Sequence, residues 1–282
     1  MDDVTEAGLT AQVLQRLDAT PDPRLREVML ALVRHLHAFA SQVRLTEAEW
    51  MAGIRFLTAT GHITDDVRQE FILLSDTLGL SSLVDLITHG SGAEVTESTV
   101  LGPFYLPDAP WREAGGSIVL AGPAGEPAVV SGQVRSADGS PLPGAVLDVW
   151  QAAPNGRYDV QDPQQPRGNL RGRFRTDGDG RYEFRTVRPV DYPVPDDGPV
   201  GALLAATGRH PWRAAHIHVI VSAPGHASVT THIFDATSTY LDSDAVFGVK
   251  RSLVRDFTPE EGTGPGHLAV EQDFVLRRTG AP

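Results

Sequence analysis

The sequence predicts a mainly β fold, in which a β-sandwich core follows an α-helical N-terminal region. Three observations carry this. Up to about residue 90, apolar side chains recur at helical spacing. Beyond "GSGAEVTESTVLGPFYLPDAP", glycine and proline punctuate short alternating runs, as in an all-β sandwich. The run "RAAHIHVIV" concentrates β-branched residues, which suit a pleated sheet. The expected division is a helical dimerisation and linker region over 1–95 and a β-sandwich catalytic domain over 96–282.

In "PRLREVMLALVRHLHAFASQVR", Leu25, Val28, Met29, Leu32, Leu36 and Phe39 form one apolar stripe, and Pro23 suits a first helical turn. Thr46 with Glu49 three residues on makes a capping box. "TDDVRQEFILLSDTLG" predicts a helix closing on Gly79. "SSLVDLITHG" predicts a short one, capped by Ser81 or Ser82 and ended by Gly90. The apolar stripes need cover, from the chain's own sandwich or from a second copy, so a homodimer is expected.

Seven strands are expected: Ser117–Ala121, Ala128–Val134, Ala145–Gln151, Arg181–Thr186, Ala214–Val221, Ser228–Phe234 and His267–Leu276. The loops 152–170 and 187–212 between them are long, and long loops on a rigid β scaffold usually carry function. "DGDGRYEF" resembles a calcium loop only superficially. Counting from Asp177, position 5 is Arg181 and position 12 is Arg188, so a hairpin turn is expected instead. No nucleophile elbow, H-E-x-x-H helix or phosphate loop occurs.

The formal net charge of -12 argues against nucleic-acid or anionic-membrane partners. With no cysteine, disulfides, thiolate metal sites and a cysteine nucleophile are excluded. "MDDVTEAGLTAQ" has no apolar segment of a secretory signal, and no run approaches 18 apolar residues. A cytoplasmic protein without a membrane span is expected.

His216 and His218 lie at i and i+2 of a predicted strand, so both imidazoles leave the same face and can share an ion. Two histidines hydrogen-bonded on a sheet face would show the same spacing. His35 and His37, by contrast, sit in a helical pattern that points them apart. The other histidines, His232 among them, show no second ligand spacing. Tyr158 in "NGRYDVQD" and Tyr192 in "PVDYPVPDDG" occupy turn-forming contexts that strand packing does not explain, though either could be a loop anchor. Two imidazoles with two phenolates favour a hard, highly charged ion. A phenol with a pKa of about 10 also needs a strong Lewis acid to stay deprotonated at neutral pH. Iron(III) fits, whereas a ferrous oxygenase more often uses two histidines and a carboxylate.

The stretches "TVLGPFYLPDAP", "GAVLDVWQAAPNGRYD", "LRGRFRTDGDGRYEF", "RPVDYPVP" and "HPWRAAHIHVIVSAPGH" resemble, in order and spacing, the intradiol ring-cleaving dioxygenases of the catechol type. The resemblance runs almost end to end. It implies Fe(3+) held by Tyr158, Tyr192, His216 and His218, with Tyr192 the ligand that departs and Tyr158 the one that stays. It implies a substrate pocket drawn from Asp85, Val100, Leu101, Gly102, Pro103, Phe104, Val194, Pro195, Arg213, His232 and Val246. Arg213 would stabilise negative charge developing on the ring. Yet at i−3 from His216 on one strand it belongs on the opposite face, unless the strand bulges. Implied partners are an aromatic diol or triol and O2, a second copy joined through the helices, and a phospholipid among them. "TTHIF" and "YLDSDAVFGVK" look most like members acting on hydroxyquinol (1,2,4-trihydroxybenzene), since catechol-specific members usually carry glutamine at the place of His232. "DATSTYLDS" departs from the usual pattern of a Gly-Asp before the tyrosine, which leaves the exact phenol open. Catechol or a substituted catechol is the alternative substrate. "SGQVRSADGSPLPGAVLDVW" alone also resembles non-catalytic transthyretin-like modules, and a zinc hydrolase could use the H-x-H pair.

Overall fold

The computed structural model describes residues 5–90, 94–121, 125–259 and 267–280. The first four residues of the acidic N-terminal stretch, and Ser91–Ala93 of the expected helix-to-sheet junction, lie outside the described residues. The chain forms two compact units, Met1–Ala59 and Thr60–Pro282.

The first unit holds helices α1 (Glu6–Leu17), α2 (Pro23–Val43) and most of α3 (Glu47–His62). Asp22 starts α2 by accepting the N–H groups of Arg24 and Leu25, with Pro23 in the first turn as expected. The capping box of α3 forms: the Glu49 N–H donates to Thr46 Oγ1 and the Thr46 N–H to Glu49 Oε2. Along α2, Leu25, Val28, Leu32, Leu36 and Phe39 are each about half exposed among the described residues.

The second unit begins with α4 (Glu70–Thr77) and α5 (Leu80–His89). Helix α4 starts later than predicted. Asp65 Oδ1 takes the N–H groups of both Val67 and Arg68, and this local turn competes with the helix. Neither Ser81 nor Ser82 caps α5. Gly79 occupies the N-cap, Ser81 pairs with Ser75, and Ser82 donates to the carbonyls of Val246 and Phe247. Gly90 ends α5 as expected.

The remaining elements run β1 (Pro127–Ser136), β2 (Val146–Trp150), β3 (Arg171–Arg175), β4 (Arg181–Val187), β5 (Tyr192–Pro193), α6 (Pro199–Ala206), β6 (Trp212–Arg213), β7 (His216–Ser222) and β8 (Val229–Asp235). The chain then closes with β9 (Val254–Arg255), β10 (Thr258–Pro259), β11 (Leu268–Glu271) and β12 (Phe274–Leu276). One sheet centres on β1, with β4 antiparallel on one edge and β11 and β12 parallel on the other; β10 extends β11. The other has the order β3-β2-β7-β8-β9. Val130, Phe184, Val270 and Phe274 of the first share one core with Leu147, Val149, Phe174, Ile217, Val219 and Ile233 of the second. This is the expected sandwich.

Local expectations need correcting. Ser117–Ala121 makes only an isolated bridge, Ser117 to Arg185, although Ile118 is fully buried. The expected His267–Leu276 strand breaks at Gln272–Asp273 into β11 and β12. A Cβ on Gly132 would lie 2.0 Å from the Gln272 carbonyl oxygen, so the break is accommodated by that glycine. "DGDG" does form a tight turn around Asp177, but no hairpin: β3 pairs with β2 and β4 with β1, so the turn carries the chain from one sheet to the other. Among the described residues no single helix is long and apolar enough to cross a membrane.

Candidate metal centre

Strand parity sets the site. On β7, Ile217, Val219 and Val221 enter the sandwich core, which leaves His216 and His218 on the outer face of the second sheet. Trp150, opposite His218 in the β2–β7 register, stacks on its imidazole at 4.6 Å with the planes 11° apart. Gly102 (φ +76°) also approaches this ring, and a Cβ there would sit 3.2 Å from His218 Cε1. Only glycine meets both demands easily.

The two long loops deliver the phenols. Tyr158 follows the Asn155–Gly156 turn and stacks on Phe104 at 4.6 Å. Its neighbour Asp159 forms a buried ion pair with Arg171 at 2.8 Å and also accepts the Gly168 N–H, which ties the loop 152–170 to β3. Tyr192 lies on β5, which pairs with β6 so that Tyr192 faces Arg213. The four predicted ligand atoms converge. Tyr158 OH is 3.0 Å from Tyr192 OH, which is 3.4 Å from His216 Nε2, itself 3.1 Å from His218 Nε2. Both tyrosines are buried, so neither is a loop anchor with its hydroxyl in water.

Arg213 joins this group despite the parity argument. Strand β6 ends at Arg213 and β7 begins at His216, so alternation does not carry across Ala214 and Ala215. Its Nη1 reaches within 3.1 Å of His216 Nε2 and 3.5 Å of Tyr192 OH. Asp244 accepts its Nε at 3.2 Å, along with the N–H groups of Ala214 and Gly248.

Spacing along the chain gives His232 no ligand partner, whereas the fold sets it beside the histidine pair. It lies opposite His218 in the β7–β8 register, with ring centroids 4.2 Å apart. Thr99 Oγ1 contacts its Nδ1, while its buried Nε2 has no hydrogen-bond partner. Among the described residues, His216, His218 and His232 form a buried trio whose ligand atoms lie within 4.8 Å of one another. The hairpin about Gly225 was the sequence signal, since it places 218 against 232.

The other predicted pocket residues divide. Val100 lies beside Gly248, which in turn lies against Arg213. Phe104, Val194 and Pro195 line a cleft of about 710 Å³ with Gly156, Pro193 and Trp212. Val246 is buried, Pro103 is half-buried and Leu101 is exposed. Asp85 is engaged: Lys250 donates to it at 2.8 Å and to the Ser98 carbonyl, and His89 lies 3.1 Å away. Burial pushes its pKa up, but the hydrogen bonds from Lys250 and Ser98 outweigh this and hold it below the usual carboxylate value.

Burial raises the pKa of Tyr158 well above that of an ordinary phenol, reinforced by Tyr192. Burial also raises that of Tyr192, against the pull of Arg213. The same burial, with Arg213 nearby, drives His216, His218 and His232 to the neutral form. His216 Nδ1–H donates to the Ala214 carbonyl at 2.6 Å, which leaves the Nε2 lone pair facing the group. Neutral imidazoles and phenols that ionise only beside a strong cation suit a metal ion.

Residues 100–278 match the family model described as "Dioxygenase", and residues 22–96 match "Catechol dioxygenase N terminus". The chain belongs to the catechol-type intradiol ring-cleavage dioxygenases. It is 50% identical over 276 residues to a hydroxyquinol 1,2-dioxygenase of Rhizobium sp., spanning 94% of this chain and 93% of that protein. It is 49% identical over 279 residues to a 6-chlorohydroxyquinol 1,2-dioxygenase of Cupriavidus pinatubonensis, spanning 99% and 100%. The crystal structure of a hydroxyquinol 1,2-dioxygenase from Pseudomonas putida superposes with a TM-score of 0.88 at 49% identity, covering 97% of this chain and 99% of that one.

Proposed function

We propose that the protein opens the ring of hydroxyquinol between adjacent hydroxyls, consuming O2 and giving 3-hydroxy-cis,cis-muconate, which tautomerises to maleylacetate. The observation that carries this is the convergence of Tyr158, Tyr192, His216 and His218 at 3.0–3.4 Å. These residues would hold iron(III), the hard ion that two phenolates and two imidazoles suit. When bound, the ion acts as a Lewis acid that draws electron density from a chelated diol. Tyr192, once ionised as one of these ligands, would take a proton from the diol, and Arg213 Nη1 lies 3.5 Å from its oxygen. Arg213 keeps a fixed positive charge beside the reacting ring, because Asp244 holds its guanidinium in place. Both atoms of O2 enter the product, so no external reductant is required.

The choice of a triol rests on the relatives named for hydroxyquinol and on the polar groups close by. A third hydroxyl without a partner in a dry pocket costs on the order of 1–3 kcal/mol. His232 can donate to it or accept from it, and Asp85, held by Lys250, can accept. Catechol would leave the buried His232 Nε2 unpaired. Placement in the cytoplasm, dimerisation through α2 and a phospholipid among the helices belong to the same reading.

The test is kcat/KM for hydroxyquinol and catechol by oxygen uptake, with iron content and visible colour of the purified protein. Hydroxyquinol is expected to be the better substrate, turned over by a coloured protein with about one iron per chain. A preference for catechol would redirect the substrate assignment, and an unchanged preference in Asp85→Ala would remove Asp85 from it. A colourless, zinc-loaded protein would overturn the iron site.

A further inference from the structure

We propose that Lys250 is a positioning residue for triol recognition, its ammonium holding the Asp85 carboxylate where a third substrate hydroxyl can donate to it. This deepens the hydroxyquinol reading of the preceding section and rests on it. The chain carries 23 arginines and a single lysine. That lysine is largely buried: its side chain is 17% exposed, and that of Asp85 9%. Its Nζ donates to Asp85 Oδ2 at 2.8 Å and to the Ser98 carbonyl at 2.5 Å. One ammonium therefore ties helix α5 to the segment that follows it and to the segment between β8 and β9.

The corner so formed adjoins the metal centre. Thr99, next to Ser98, donates its N–H to the Thr230 carbonyl, and its hydroxyl contacts His232 Nδ1. Ser82, one turn before Asp85 on α5, donates to the carbonyls of Val246 and Phe247, so the helix is clasped to the lysine's segment at two points. Earlier in that segment, Asp244 holds Arg213. The use of lysine rather than arginine follows from its partners. A guanidinium is a planar fork that suits the two oxygens of one carboxylate. Here a carboxylate and a main-chain carbonyl from different segments meet at one nitrogen. With the ammonium beside it Asp85 is ionised, so it accepts and does not donate. Half-exposed His89 stands 3.1 Å from its other oxygen, and each oxygen retains an acceptor position. A third hydroxyl can donate there, and catechol has none to offer.

The experiment measures oxygen uptake with hydroxyquinol and with catechol for the iron-loaded full-length chain and its variants, and reads the ratio of the two kcat/KM values. That ratio does not depend on how much iron each preparation holds, because both substrates meet the same active fraction. Wild type is expected to favour hydroxyquinol. Lys250→Met should lower the ratio about ten- to a hundredfold, the worth of one hydrogen bond to a charged group, mainly through a higher KM for hydroxyquinol. Lys250→Met/Asp85→Asn removes both charges together. Its ratio should match that of Asp85→Asn alone to within about threefold, since the lysine acts through the carboxylate. Methionine strips a buried carboxylate of its partner. Where that variant does not fold, Lys250→Arg keeps the charge and should lower the ratio about tenfold, because its fork does not reproduce the single-nitrogen geometry. A folded Lys250 variant with the wild-type ratio, or a double variant well below Asp85→Asn, would overturn the proposal. A wild-type preference for catechol would remove the hydroxyquinol reading itself, so the two failures are told apart.

Discussion

A buried phenol ionises only if something stabilises the anion, and the Tyr158–Tyr192 pair follows from that. Tyr158→Phe should lose most of its iron, because a phenyl ring offers no donor. Tyr192→Phe should reduce turnover more than iron content, since its proposed work is to leave the metal and take a proton; metal analysis beside oxygen uptake checks both. Behind Arg213 lies a second buried acid. Burial pushes Asp76 up to about 6, against the hydrogen bond from Ser81 and the charge of Arg213. Between the ordinary carboxyl value near 4 and this raised value, the folded protein holds a proton that the unfolded chain has released. Stability should therefore fall as pH rises through that window, by about 3 kcal/mol at most, and level off above it. Asp76→Asn should flatten this dependence in urea unfolding across pH 4–7. Strand parity alone brought out His216 and His218, and the odd contexts of Tyr158 and Tyr192 marked them. Arg213 defeated the parity argument because the strand breaks at Ala214. Asp244 and Asp76 carried no sequence signal, since both reach the site only through tertiary contacts.

At the scale of elements, helix α2 makes the clearest demand. Leu25, Val28, Leu32, Leu36 and Phe39 lie exposed along one side of it, and water is a poor neighbour for so continuous a stripe. A second copy covering that stripe with its own is the proposed solution. Leu32→Asp should convert a dimer to a monomer in light scattering at micromolar concentration, while circular dichroism stays largely unchanged because Leu32 is about half exposed on α2. The helical segments were legible from their stripes and caps, as Pro23, Thr46 with Glu49, and Gly90 illustrate. Their starts were less so where a local turn competes, as Asp65 does ahead of α4. Strand pairing was harder still. "DGDGRYEF" has the composition of a hairpin turn, yet the sheet each flanking strand joins is decided by partners far away in sequence. The β7–β8 hairpin shows what pairing adds, since its register alone brings His232 to His218.

Across the whole molecule, the sandwich supplies a rigid outer sheet face, and the two long loops bring the phenols onto it. A net charge of -12 suits a small neutral phenol better than a polyanion, which agrees with the ring-cleavage family. On the proposed reading, this tyrosine–histidine site cleaves hydroxyquinol between adjacent hydroxyl-bearing carbons and places one atom of dioxygen on each. Mass analysis of the ring-opened product formed under 18O2 tests it most directly. Maleylacetate carrying two labelled oxygens is expected. A product with one labelled oxygen, or one opened outside the two hydroxyls, would contradict it.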